Sequence, residues 1–213
     1  MTRYAPPSTT ARIAALAVAA VACTGLGVQF IVTFHGTANG DVVTTLWTLL
    51  RFFTIWANIV VAIVMSGVAL GQRWARRPVL LGGATLSILL VGIVYGLLLR
   101  GMIELSGGAL LTDTLLHKVT PILLPLWWLV FASKGQLNWG APWIWMLFPL
   151  TYLPYALLRG LVEGKYAYPF INVTKLGWAG VSVNAALIAL GFIVAGYGVV
   201  WVDRRLGRTR VKA

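Results

Sequence analysis

Among 213 residues the side chains whose types and spacing offer chemistry lie inside apolar runs. Arg51-Phe52-Phe53-Thr54-Ile55-Trp56-Ala57-Asn58 places a guanidinium, a hydroxyl and a carboxamide within a hydrophobic stretch from about Thr44 to Leu70. At about 100° per residue Arg51, Thr54 and Asn58 share one helical face, and on a continuous helix Thr44 and Thr48 extend it. Lipid offers such groups no partner, so a polar stripe on a spanning helix points into the bundle or a wet cavity. A hydroxyl is a poor nucleophile until a base takes its proton, and an imidazole is the side chain best matched to that task near neutral pH. The chain has two histidines, His35 and His117, and only His117 falls within an apolar run. Thr54 and His117 are therefore the candidate catalytic pair.

Other residues would support that chemistry. Asp113, His117 and Thr120 recur at i, i+4 and i+7, so Asp113 either accepts the second ring N–H of His117 and fixes its tautomer or caps the start of its helix. Arg51, Asn58 or Asn184 would donate to an oxyanion. Tyr152, Tyr155 and Arg159 share a face at i, i+3 and i+7, and they are candidates for the substrate pocket. Each has a structural alternative. A membrane threonine commonly bonds its own i−4 carbonyl, asparagines hold helices together, and a terminal arginine snorkels to headgroups.

These positions require a membrane scaffold. Hydrophobic residues make up 59% of the chain, charged residues 10%, and the mean hydropathy is +0.86. The apolar residues come in blocks of spanning length without strand-like alternation, which predicts an all-α polytopic membrane protein and excludes a β-barrel. Six spans are expected, at about 11–34, 44–70, 79–99, 113–131, 143–161 and 174–202, forming one domain over 1–213 with a basic tail from about 203. Pro149 and Pro154 predict a bend in the fifth span. The first span begins like a signal sequence, but its hydrophobicity runs on past Cys23, so it is read as retained. The lone cysteine excludes an internal disulfide and a thiolate metal cluster, and no metal or organic cofactor is expected.

The formal charge of +12 has a sided distribution. Eleven Lys and Arg residues, among them Arg3, Arg12, Arg73, Arg76, Arg77, Lys134 and Lys212, fall at both termini and in alternate loops with Asp203 as the only acid. The opposite ends carry six basic residues and four acidic ones. Both termini are therefore expected in the cytoplasm of a cell-membrane protein, with membrane lipids as surroundings and anionic headgroups as partners of the basic tail. This distribution does not describe a nucleic-acid surface. Depth along the spans permits the pair: at about 1.5 Å per residue, Thr54 lies about 15 Å below Thr44 and His117 about 7 Å below Thr112, and starting the second span at Trp47 cuts the mismatch to about 3 Å.

The segments Arg51-Phe-Phe-Thr54-Ile-Trp-Ala-Asn58, Leu116-His117-Lys-Val-Thr-Pro121, Tyr152-Leu-Pro-Tyr155-Ala-Leu-Leu-Arg159-Gly160 and Tyr168-Pro169-Phe170-Ile-Asn172 together resemble a known family. The likeness is to the bacterial six-span relatives of the androgen-induced and androgen-dependent TFPI-regulating membrane proteins, and it extends over all six spans. The resemblance implies an intramembrane threonine hydrolase of lipid-like esters, of the kind that cleaves fatty acid esters of hydroxy fatty acids. It carries the family's essential threonine onto Thr54 and its histidine onto His117. Trp56 stands where the animal members have a polar residue, and the Arg159 to Phe170 block follows the bacterial form. The rival reading is a small transporter or lipid-binding membrane protein without catalysis. Proton- or ion-coupled transport favours a carboxylate near the midplane, whereas Asp41, Glu104, Asp113, Glu163 and Asp203 all fall at span ends.

Overall fold

The computed structural model describes residues 7–102 and 104–211, with side chains as far as 207, so Arg3 and Lys212 lie outside the described residues. Those residues form α-helices joined by short turns, with no strand among them. Helix α1 (Thr9–His35) begins where the Ser8 hydroxyl accepts from the Ala11 N–H at 3.1 Å. Its buried face, Ala15, Ala19, Ala22 and Gly25, is small, which brings neighbouring backbones close. A Cβ on Gly25 would stand 2.6 Å from Leu116 Cδ2.

The second span is not the continuous helix expected from Thr44 to Leu70. Helix α2 (Val42–Leu49) and helix α3 (Phe53–Ala69) meet at a 97° bend, and Phe52 between them is extended, with φ −98° and ψ 130°. Thr44 and Thr48 therefore do not continue the Thr54–Asn58 stripe, and Arg51 stands in the break. A basic turn with one 3-10 segment, Trp74–Arg76, leads to α4 (Pro78–Val94), which starts on proline, a residue that suits a first turn where the missing N–H has no helical partner. A π-helical turn, Tyr95–Leu99, extends α4.

The fourth span starts earlier than expected. Helix α5 (Gly107–Thr114) is followed by a second π turn, Leu115–Val119, and by α6 (Thr120–Phe131). Asp113 lies more than a turn inside α5, so it does not cap that helix. Helix α7 (Ala141–Glu163) is unbroken through Pro149 and Pro154 and ends at Gly164, whose φ of 68° is the left-handed conformation that glycine adopts without a Cβ penalty.

A 3-10 turn at Pro169–Ile171 leads into α8 (Val173–Val211), which is interrupted only at Gly177, φ 65° and ψ 170°. The basic tail does not stop this helix near Val202. Buried Asp203 accepts from the Leu137 N–H at 2.9 Å, and the Arg204 guanidinium donates to the Leu137 carbonyl at 3.3 Å. The tail's first turn is thus held against the loop before α7.

The main core joins α1, α3, α4, α6, α7 and α8 around Met65, Leu86, Ile88, Leu124 and Phe192. Among the described residues five helices are long and apolar enough to cross a membrane, and the bent α2–α3 pair makes a sixth when taken as one span. Large apolar side chains such as Leu97, Leu187 and Val194 face outward. Helix lengths and surface together fit a multi-pass membrane protein.

Candidate active site

The site forms at the broken span. A helix end leaves its last carbonyls without intrahelical donors, and burial makes partners obligatory. Here α7 supplies most of them and Trp56 of α3 the rest. Arg159 Nη1 donates to the Trp47 carbonyl at 2.7 Å and its guanidinium lies 3.9 Å from the Trp47 ring centre. The Tyr155 hydroxyl and Trp56 Nε1 donate to the Leu50 carbonyl at 3.2 and 2.8 Å, and the Tyr152 hydroxyl donates to the Arg51 carbonyl at 2.6 Å. The shared face read from their spacing therefore holds the break. Of the three, Tyr152 also lines a cavity at Thr54, whereas Tyr155 and Arg159 line none of the cavities described below.

Breaking the helix here starts a new one beneath Thr54. Thr54 is the second residue of α3, whose N-terminus has no side-chain cap, so the positive end of the helix dipole bears on it. Its i−4 acceptor, the Leu50 carbonyl, already accepts from Trp56 and Tyr155. The Thr54 hydroxyl instead faces His117, with Oγ1 3.2 Å from Nε2. Asn58 Nδ2 donates to the Thr54 carbonyl at 2.9 Å and to the Leu116 carbonyl at 3.3 Å, fastening α3 to the turn that carries His117.

His117 occupies the middle of the second π turn, a local expansion of the helix that recurs at functional sites. Its Nδ1 lies 3.2 Å from Asp113 Oδ1 and 3.3 Å from the Asp113 carbonyl. A proton on Nδ1, donated to Asp113, leaves the Nε2 lone pair for the Thr54 hydroxyl, which is the tautomer a general base requires. Asp113 also accepts at Oδ2 from the Tyr95 hydroxyl at 2.7 Å and pairs with Lys118 at 3.0 Å. Tyr95, in the first π turn, stacks on the imidazole with ring centres 4.5 Å apart.

Two residues in contact with the pair escape a reading of the sequence. Tyr95 resembles any aromatic near a span end. Tyr168 belongs to a cluster suited to the membrane interface, yet its hydroxyl accepts from the Thr54 N–H at 3.4 Å. Burial pushes the Tyr168 phenol above its ordinary range, so it stays protonated near neutral pH.

The remaining candidates lie elsewhere. Arg51 pairs with Glu163, which also accepts from Arg159 Nε at 2.7 Å, so its charge is bound at the break. Asn184 donates to the Phe170 carbonyl at 3.0 Å, away from the Thr54 hydroxyl. Among the described residues no three His, Cys, Asp or Glu side chains gather as metal ligands.

Thr54 and His117 stand in the walls of two cavities. One, of about 110 Å³, lies among α3, α4, α7 and α8, and its only lining side chains with nitrogen or oxygen are Thr54, Tyr95, His117, Tyr152 and Tyr168. The other, of about 390 Å³, lies toward α1 and α5 and includes Gln29 and Asp113. No protein-family model, curated protein or solved structure matches the sequence.

Proposed function

We propose that this chain is a multi-pass membrane hydrolase of lipid-like acyl esters, with Thr54 as nucleophile and His117 as base and both termini in the cytoplasm. The observation that carries the proposal is the 3.2 Å approach of Thr54 Oγ1 to His117 Nε2 in the wall of an apolar cavity. Two residues 63 positions apart, on different spans, meet with the geometry of nucleophile and base, and a third group stands behind the base. The resemblance to the six-span threonine hydrolases implies the same two residues, and the sided charge favours cytoplasmic termini.

In the first step Thr54 Oγ attacks the acyl carbon as its proton passes to His117 Nε2. The oxyanion forms beside the start of α3 and the Tyr168 hydroxyl, which donates its proton to it. The C–O bond to the alcohol breaks, and His117 returns the proton to the departing oxygen. Water then attacks the acyl-Thr54 ester with His117 again taking the proton, and the carboxylic acid leaves as the proton goes back to Thr54. Asp113 stabilises the imidazolium formed in each step.

The test is ester turnover by purified protein. Thr54→Ala and His117→Ala are each expected to abolish it while expression and monodispersity are kept, and a fluorophosphonate is expected to label Thr54. Turnover retained in both variants would overturn the assignment. Flux of an ester into liposomes without hydrolysis would favour transport instead.

A further inference from the structure

The two cavities that share Thr54 and His117 differ in lining, and the difference gives the site a direction. In the cavity among α3, α4, α7 and α8 every side-chain nitrogen or oxygen belongs to residues around the pair. Beyond them the walls are hydrocarbon: Leu90 and Val91 on α4, Met146 and Leu150 on α7, Ala185 and Phe192 on α8. From Ala185 to Phe192 the lining follows α8 for about 10 Å. Outside this cavity a groove of about 400 Å³ runs between α4 and α8 and shares Leu90, Val94, Phe170, Ile188 and Phe192 with it. The groove is also lined by Leu97 and Leu187, which are 78% and 62% exposed on the apolar outer surface. The second cavity also has apolar walls, Leu49, Phe52, Ile55 and Leu105 among them, but it adds Gln29 and Asp113 to the polar groups around the pair.

We infer that the cavity among α3, α4, α7 and α8 is the acyl subsite, filled by a hydrocarbon chain arriving sideways through the α4–α8 groove, and that the cavity toward α1 and α5 is the alcohol subsite. The inference rests on the ester-hydrolase reading and adds to it which arm of the ester goes where. A polar or charged alcohol in the first cavity would lose its water with no hydrogen-bonding group beyond those at the pair, and a buried polar group left unpaired is unfavourable. A hydrocarbon chain there is stabilised by every methylene it buries. The second cavity offers a polar alcohol two partners that the first lacks, Gln29 and Asp113. Attack by Thr54 Oγ breaks the bond to the alcohol oxygen, which takes its proton from His117 and departs toward α1 and α5. The acyl-Thr54 ester keeps its chain among α4, α7 and α8, and the water that cleaves it comes through the cavity the alcohol has left.

The experiment compares wild type with Ala189→Trp, at a residue that lines the acyl cavity, and Leu105→Trp, at one that lines the other, all as purified full-length chains. p-Nitrophenyl butyrate and palmitate read acyl length; ethyl and diphenylmethyl palmitate read alcohol size. Ala189→Trp is expected to lower the palmitate-to-butyrate ratio of kcat/KM by about tenfold or more. Leu105→Trp is expected to lower the diphenylmethyl-to-ethyl ratio and to leave the acyl-length ratio within about threefold. Ala189→Leu is a smaller filling that serves if the tryptophan variant fails to fold, and it is expected to shift the acyl-length ratio in the same direction. Unchanged acyl-length ratios in the folded Ala189 variants, or the two effects exchanged between the positions, would overturn the inference while leaving the ester-hydrolase reading intact. A folded wild-type protein that turns over none of the four esters would remove that reading and this inference with it.

Discussion

Tyr95 lies nearly parallel to His117, with ring centres 4.5 Å apart and planes 22° apart, and its hydroxyl donates to Asp113 at 2.7 Å. One phenol thus fixes both the imidazole plane and the carboxylate behind it. Both aromatic residues belong to π turns, on spans that pack against each other through α4 and α6. A regular helix in either place would turn the residues that follow by about 100°, the rotation of one residue.

Tyr95→Phe keeps the stack and removes the bond to Asp113. A hydrogen bond of this kind is worth about 1–2 kcal/mol, so kcat for ester turnover is expected to fall about tenfold with KM nearly unchanged. Tyr95 acts through His117, so the acidic limb of the kcat/KM pH profile is expected to move as well. An unchanged rate and profile would show that Asp113 and Lys118 suffice to orient the imidazole.

Glu163 bridges Arg51 in the α2–α3 break and Arg159 on α7. Glu163→Gln leaves two guanidinium groups poorly paired in a mostly buried setting, where losing one partner of an ion pair costs about 3 kcal/mol. Its thermal unfolding midpoint is expected to drop by several degrees. Arg159→Lys is expected to lose stability too, because an ammonium cannot reproduce the guanidinium fork that reaches the Trp47 carbonyl and Glu163 together. Wild-type thermal stability in both variants would mean that the aromatic donors hold the break alone.

A Cβ added at Gly92 would stand 2.8 Å from Pro121 Cβ, a ring atom with little freedom to move. Gly92→Val is therefore expected to push α4 from α6, to destabilise the fold by about 1–3 kcal/mol, and to lower activity by displacing Tyr95 from His117. At Gly96, with no atom within 4 Å of an added Cβ, alanine is expected to be tolerated. Equal stability of the two variants by thermal unfolding would contradict this account of the contact.

The sequence makes the spans and the candidate pair legible because apolar length and polar residues within it are local signals. Thr54 and His117 stand out against hydrocarbon wherever their helices turn. The break at Leu50–Phe52 has no such signal, since Leu-Arg-Phe contains neither glycine nor proline, and its donors come from α7 about a hundred residues later. Neither π turn has a composition that marks it. The Gly107-Gly108 pair resembles a loop and hides the start of α5, which is why Asp113 could be taken for a cap. The length of α8 depends on Asp203 meeting Leu137, a tertiary contact that hydropathy cannot register.

Sidedness is open to a direct measurement. Cys23 is the only cysteine, so Cys23→Ser gives a cysteine-free background for labelling with a membrane-impermeant maleimide in intact cells. Ser106→Cys and Lys165→Cys, in the turns next to the Thr54 end of the bundle, are expected to label from outside. Gln72→Cys and Gln136→Cys, beside the basic turn and Lys134, are expected to label only after permeabilisation. The expectation follows from the charges: the connections at the second end carry Arg73, Arg76, Arg77 and Lys134 with no acid, whereas those at the first mix basic residues with Asp41, Glu104 and Glu163. The reverse pattern would put Thr54 and His117 near the inner leaflet and the basic tail outside, and would remove anionic cytoplasmic headgroups as proposed partners of that tail.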